Sequence, residues 1–259
     1  MSNQRDFILS IEDSIAVITL NRPKALNALN KKLIEELHHF FTSELASLSC
    51  IGIIITGSGT KAFAAGADIK EFETLSPKEM EALSAFGHSL MNAIEASPIP
   101  VIAAIEGYAL GGGFELALAC HMRIGSEKTR LGNPEVNLGI IPGYGATQRL
   151  PQLIGKGRSL EVLCTARMIE AKEALEWGLL NKVVDSGNTL EAAKQTLTHI
   201  ATKGPSAIQQ IIRVVNSYYD PSKDGFQEEI KSFGELSGLE EFKEGTKAFI
   251  ENRNANFRN

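Results

Sequence analysis

Cysteine is scarce in this chain. Its three residues, Cys50, Cys120 and Cys164, lie far apart and form no CxxC pair, which excludes a disulfide framework and fits a reducing compartment. Positive charge is not in excess either: 26 Lys and Arg face 31 Asp and Glu, a formal net charge of −5. A chain without clustered positive charge does not bind nucleic acid by general phosphate neutralisation. Long hydrophobic runs are missing too. The longest weakly charged stretch, Ala96 to Phe114, is broken by Glu106, two prolines and four glycines, so no spanning helix and no membrane partner are expected. Arg5, Asp6, Glu12 and Asp13 precede the short apolar run Ile15 to Leu20, which is no signal-peptide core, and cytoplasmic residence is the expectation. The five histidines, at 38, 39, 88, 121 and 199, show neither HExxH nor ligand spacing with cysteine, so no metal is expected. The serine of Gly57-Ser58-Gly59 lacks the GxSxG elbow of serine hydrolases, and the glycine run within Gly107 to Gly113 has neither the Walker A nor the GxGxxG form.

What is present describes a globular α/β chain, 43% hydrophobic and 22% charged. Phe7 to Ile11 and Ile15 to Leu20 read as a hairpin of β-branched strands. Leu33, Ile34, Leu37, Phe40, Phe41, Leu45 and Leu48 recur at helical spacing, with Asn30 as N-cap. Ile51 to Thr56 and Val101 to Ile105 are short, almost wholly apolar strands of the kind buried on both faces. Ser76-Pro77-Lys78-Glu79 has the capping-box spacing and opens a helix to about Ala96. Gly107 to Gly113 leads into an apolar helix, Phe114 to Met122, followed by short strands at Arg123 to Ser126 and Thr129 to Gly132. A loop from Asn133 to Gly145 precedes helices at Ala146 to Ile154, Gly157 to Thr165 and Ala171 to Trp177, and then a strand at Leu180 to Val184. From Leu190 only helices follow. A boundary near 186 to 190 thus separates a core over 1–188 from a helical region over 189–259.

Two glycine-bearing turns follow buried strands and precede helical turns: Lys61 to Lys70, and Gly107 to Glu115. Such turns leave backbone N–H groups free to face an anion. Glycines there equally permit tight helix–strand packing. Two acids lie beside these loops, Glu115 in the first turn of an apolar helix and Glu135 after Pro134. Low polarity raises a carboxyl pKa toward the range useful for proton transfer, although a helix-dipole partner and a turn acid are the plainer readings.

Taken together, the segments Asn21 to Leu29, Ala62 to Glu71, Pro100 to Ala119, Gly132 to Leu150 and Ala248 to Arg253 resemble the enoyl-CoA hydratase/isomerase (crotonase) superfamily over nearly the whole chain. The resemblance implies a spiral of ββα turns and a C-terminal helical part that trimerises, two trimers making a hexamer. It implies an acyl-CoA thioester as substrate, coenzyme A being part of that substrate and no separate cofactor being needed. The thioester carbonyl would be held by the backbone amides of Ala67 and Gly112. Glu115 would deprotonate the water that attacks C3, and Glu135 would exchange the proton at C2, giving syn addition. Lys24, Ala25 and Leu26 match a segment along the CoA moiety. Ala65, Asp68, Ile69 and Lys70 match the loop around its adenine and pantetheine. Gly143 matches a substrate-side position, and Phe249 an aromatic lent by a neighbouring subunit.

The chain departs from the family pattern at Asn252, where close hydratases carry lysine, and at His121, where aspartate is common. It departs again at Tyr144 and Ala146, where residues are smaller. Retention of both acids points to hydration of a short or branched 2-enoyl-CoA, in fatty-acid oxidation. Leu110 to Leu150 also resembles methylglutaconyl-CoA hydratases of leucine breakdown, relatives of which are linked to RNA binding. The isomerase branch relies on an acid at the Glu135 position alone.

Overall fold

A computed structural model describes residues 5–258, apart from the side chain of Lys70. The chain opens with β1 (Phe7–Glu12) and β2 (Ile15–Leu20), an antiparallel hairpin. Its two turn residues, Asp13 and Ser14, have φ of 49° and 62°, the left-handed pair that matches the twist of flanking strands. Helix α1 (Lys31–His39) starts where Asn30 accepts a 2.9 Å hydrogen bond from the Leu33 N–H. The helical run expected to reach Leu48 is not uniform: it widens into a π turn over Phe40–Glu44 and tightens into a 3-10 turn over Leu45–Ser47. Phe40, Phe41 and Leu45 stay buried throughout.

The chain then alternates between two sheets. β3 (Gly52–Gly57) joins the large sheet, β4 (Ala62–Ala64) starts a small one, and α2 (Pro77–Glu95) returns. β5 (Val101–Ile105), β6 (Tyr108–Leu110) and α3 (Gly112–Ala119) repeat the step. So do β7 (Met122–Ser126) and β8 (Arg130–Gly132), which lead through a 3-10 turn over Pro134–Leu138 to α4 (Ala146–Ile154). α5 (Lys156–Thr165), β9 (Ile169–Glu170), α6 (Ala171–Glu176) and β10 (Lys182–Val184) complete the sheets. The six-stranded sheet has the order β1-β2-β3-β5-β7-β10, and the four-stranded one β4-β6-β8-β9. This is the ββα spiral.

Among the described residues four helices follow the last strand: α7 (Thr189–Ala201), α8 (Pro205–Ser217), α9 (Gly225–Ser237) and α10 (Glu240–Ile250). The large sheet buries both faces, as parallel strands do. Ala16, Ile18, Leu20, Ile53, Ile55, Val101 and Ala103 join the main core with α1, α2 and α3. The alternate residues Ile15, Val17, Ile54, Ile102 and Ala104 meet Ala192, Ala193 and Leu197 of α7. Helix α7, which the residue pattern groups with the C-terminal helices, therefore closes the core's second face. Helices α8 to α10 pack chiefly on one another and leave Tyr218, Phe226, Phe233 and Phe249 exposed. Among the described residues no helix is long and apolar enough to cross a membrane.

Leu197 lies directly over Gly52 of β3, with no exposed surface. Leu197→Ala is expected to cost about 2–4 kcal/mol, read as a lower urea midpoint at unchanged slope. An unchanged midpoint would mean that α7 is not part of the core.

Candidate active site

β4, β6 and β8 run parallel as neighbours, so their carboxyl ends deliver three consecutive loops to one edge of the small sheet. Ligands bind at such edges in open α/β sheets. The loop after β4 carries Ala67, which faces Leu29 across an isolated parallel bridge. The Leu29 N–H donates to the Gly66 carbonyl (2.8 Å), and the Asp68 N–H donates to the Leu29 carbonyl (3.0 Å). In a parallel ladder the residue between two such bonds turns its own N–H to the opposite side. The Ala67 N–H is therefore left free.

The loop after β6 delivers the second amide. Gly112 begins α3, where N–H groups have no acceptor within the helix. Neither it nor Ala67 donates to another backbone group among the described residues. The two amides are close, since a Cβ built on Gly112 would stand 3.5 Å from the Ala67 nitrogen. The residues on either side of Gly112 must be glycine. Gly111 has φ of +49°, and a Cβ there would lie 2.7 Å from Oε1 of Glu135. A Cβ on Gly113 would lie 2.2 Å from the Ala64 carbonyl oxygen.

Glu115 lies one turn into α3 and is 1% exposed. Its Oε1 accepts hydrogen bonds from the Tyr144 N–H (2.8 Å) and the Ala146 N–H (2.9 Å). Burial, opposed by the Ala146 amide and reinforced by nearby Glu135, lifts its pKa to about 7. The loop that supplies these amides is itself anchored. Ser84 of α2 donates to the Gly143 carbonyl (2.6 Å). The buried Arg149 guanidinium donates to the Tyr144 carbonyl (3.4 Å), to Asn92 (2.7 Å) and to Glu95 (2.8 Å).

Glu135 enters from the loop after β8, on the 3-10 turn. Burial raises its pKa as well, and its Oε2 is buried without a hydrogen-bond partner among the described residues. A carboxyl oxygen in that state lacks the compensation that buried polar groups ordinarily have. It is chemically available to a bound molecule.

Both acids and both amides line one cavity of about 980 Å³, together with Ala65, Ile69 and Gly143. Its remaining walls are largely apolar, from α2 and from the segment Leu138 to Pro142. The Lys24 to Leu26 segment lies outside this lining. It overlaps a 3-10 turn over Pro23–Ala25, capped by Leu26, and is tied to the first loop by the Ala65 N–H donating to the Leu26 carbonyl (3.0 Å). The Asp68 carboxylate is engaged by Arg22 (2.9 Å) and does not line the cavity. The Lys70 side chain lies outside the described residues. Phe249, 84% exposed on α10, lines none of this cavity. Among the described residues no cluster of His, Cys, Asp and Glu is placed to hold a metal.

Sequence reasoning did not single out Ser84 or Arg149. The second carried a signal in being a cation on the buried side of α4. His121, noted only as a departure, has a clear structural part: its Nδ1 accepts from the Val101 N–H (3.0 Å). Its Nε2 must then donate to the Glu95 carbonyl (3.0 Å), and burial keeps the ring neutral by lowering its pKa.

Residues 10–259 match the family Enoyl-CoA hydratase/isomerase. The chain is 42% identical to the Crotonyl-CoA hydratase of Syntrophomonas wolfei, over 97% of both chains. It is 40% identical to the Short-chain-enoyl-CoA hydratase of Clostridium acetobutylicum, over 95% of both. The crystal structure of an enoyl-CoA hydratase from Bacillus anthracis matches with a TM-score of 0.92 at 37% identity, covering 98% of this chain and 99% of that one. Pseudomonas aeruginosa DspI matches with 0.94 at 29% identity, over 100% and 98%. The chain belongs to the enoyl-CoA hydratase/isomerase family and has the crotonase fold of its solved members.

The folded-state pKa of Glu115 lies above the unfolded value of 4.5. Its contribution to stability is therefore complete below about pH 4.5 and is lost as pH rises through about 7. Glu115→Gln should reduce the fall in unfolding free energy between pH 5 and pH 8 by about 2–3 kcal/mol relative to wild type. Parallel pH profiles for the two proteins would contradict the assignment.

Proposed function

We propose that this enoyl-CoA hydratase adds water syn across the 2,3 double bond of a short-chain 2-enoyl-CoA. The observation that carries this reading is the meeting of two free backbone N–H groups, the buried Glu115 carboxyl and the half-buried Glu135 carboxyl in one cavity. The thioester carbonyl oxygen accepts from the Ala67 and Gly112 amides. As water attacks C3, the π electrons shift through C2 toward that oxygen, and fixed donors stabilise the enolate as it forms. A single donor of this kind is worth about 10²–10³ in rate.

Glu115, held through Oε1, keeps Oε2 for the water and takes its proton as the C3–O bond forms. A carboxyl with a pKa of about 7 is well matched to that exchange near neutral pH. Glu135 supplies the proton that C2 receives when the enolate collapses. Its Oε2, which has no hydrogen-bond partner among the described residues, is the oxygen left to face C2. Coenzyme A enters and leaves as part of the substrate. Lys24, Ala25, Leu26, Ala65, Asp68, Ile69 and Lys70 form the CoA side, Gly143 the acyl side, and Phe249 reaches the ligand of a neighbouring copy.

Two features favour this reading over its alternatives. An isomerase needs one acid, whereas both acids line this cavity. A methylglutaconyl group would bring a free carboxylate of its own to a cavity lined by Glu81, Glu115 and Glu135 and, among the described residues, by no Lys or Arg. The names of the two hydratase relatives, crotonyl-CoA and short-chain-enoyl-CoA, support the small acyl group. The exposed aromatics of α8 to α10 support association into trimers and hexamers, and the three free cysteines support residence in a reducing cytoplasm.

With crotonyl-CoA, followed by loss of the enoyl-thioester absorbance, Glu115→Gln and Glu135→Gln should each lower kcat by about 10²–10⁴. The dissociation constant for butanoyl-CoA should move only a few-fold. Retained hydration in either variant would place that proton transfer elsewhere. Retained 3-enoyl to 2-enoyl conversion in Glu115→Gln, with no hydration by wild type, would make the enzyme an isomerase.

A further inference from the structure

The loop that anchors Glu115 also carries an aromatic ring on the wall of the cavity. Tyr144 is 5% exposed and lines the cavity with both acids. Among the described residues, its hydrogen bonds are made by its backbone alone, the N–H to Glu115 and the carbonyl from Arg149. The ring is held by shape instead. One edge, Cδ1 and Cε1, lies against Gly87 of α2, where a Cβ would stand 2.1 Å and 2.4 Å from those atoms. The other edge, Cδ2 and Cε2, lies against Gly112, where a Cβ would stand 3.1 Å and 3.2 Å away.

The ring thus spans the gap between α2 and the first turn of α3, and it fits only because Gly87 leaves a notch for it. It sits next to one of the two amides assigned to the thioester oxygen. An acyl chain leaving a carbonyl held there starts beside this ring, with Met80, Leu83, Ile140 and Ile141 forming other walls of the same cavity. A rigid, close-packed ring at that position does not yield to added methylenes as a flexible side chain would.

We propose that Tyr144, seated against Gly87, is the specificity-determining residue that confines the acyl group to short chains, by filling the space between α2 and α3 that a longer tail would enter. This rests on the hydratase reading above and adds the residue that sets its substrate length. Gly87 acts through Tyr144 and is a positioning residue.

The test compares kcat/KM for crotonyl-CoA and trans-2-decenoyl-CoA in wild type, Tyr144→Ala, Tyr144→Leu and Tyr144→Phe. The ratio of long to short substrate should rise by about tenfold or more in Tyr144→Ala, rise less in Tyr144→Leu, and stay at the wild-type value in Tyr144→Phe. Gly87→Ala should push the ring into the cavity and lower kcat/KM for crotonyl-CoA, and adding Tyr144→Ala should restore part of that loss. An unchanged length ratio in the Ala and Leu variants overturns the proposal, as does a Gly87→Ala defect that Tyr144→Ala leaves untouched. Dissociation constants for butanoyl-CoA and decanoyl-CoA read the same preference without turnover. Wild type that hydrates neither enoyl-CoA overturns the hydratase reading, while an unshifted binding ratio in Tyr144→Ala overturns this one.

Discussion

Backbone touches backbone where α3 meets β4. Gly113 lies so near the Ala64 carbonyl that no side chain fits between them, and this contact brings the first turn of α3 alongside the loop that follows β4. The free N–H of Gly112 and the free N–H of Ala67 become neighbours as a result. Neither amide is available by accident: one opens a helix, and the other is turned outward by the Leu29 bridge. The helical register then places Glu115 one turn beyond Gly112. Parallel pairing of β6 with β8 brings Glu135 from the next loop to the same cavity.

Around this contact the electrostatics are arranged in opposite senses at the two ends of α3. At its N-terminus the cavity offers positive backbone dipoles, a favourable setting for charge developing on an oxygen. At its C-terminus the buried guanidinium of Arg123 donates to the carbonyls of Ala117 (3.3 Å) and Cys120 (2.7 Å), and also to Leu179 (2.7 Å). The two acids are not equivalent. Glu115 is buried with hydrogen bonds, whereas Glu135 keeps one oxygen, Oε2, without any among the described residues. In the proposed reaction that difference suits Glu115 to hold the water in fixed geometry and Glu135 to hand a proton to carbon.

Much of the frame was legible from residues alone. The hairpin, the apolar strands and the Asn30 cap stand where the residue pattern puts them. In the Ser76/Glu79 capping box both reciprocal bonds form. The strands β4, β6 and β9 were not legible, because two or three residues carry no periodicity and exist through their neighbours. The helix expected over Phe114 to Met122 begins two residues earlier, at Gly112, and ends at Ala119. Its poor helix formers are outvoted there by packing against Ala64. The place of α7 on the sheet was equally hidden, since an amphipathic helix does not say which surface it covers. Ser84, Arg149 and the Gly87 notch belong to the same class: each acts across a long sequence separation, through a contact only the fold creates.

The proposed hydration depends on the Ala67 and Gly112 amides polarising the substrate's thioester carbonyl. The most direct measurement is the infrared or Raman carbonyl stretch of crotonyl-CoA labelled with 13C at the thioester carbon, bound to the Glu135→Gln protein so that turnover does not intervene. Two fixed donors at that oxygen predict a bound carbonyl band at clearly lower wavenumber than in free crotonyl-CoA in water. A bound band at or above the free value would contradict the account, because the carbonyl would then lie outside the reach of both amides.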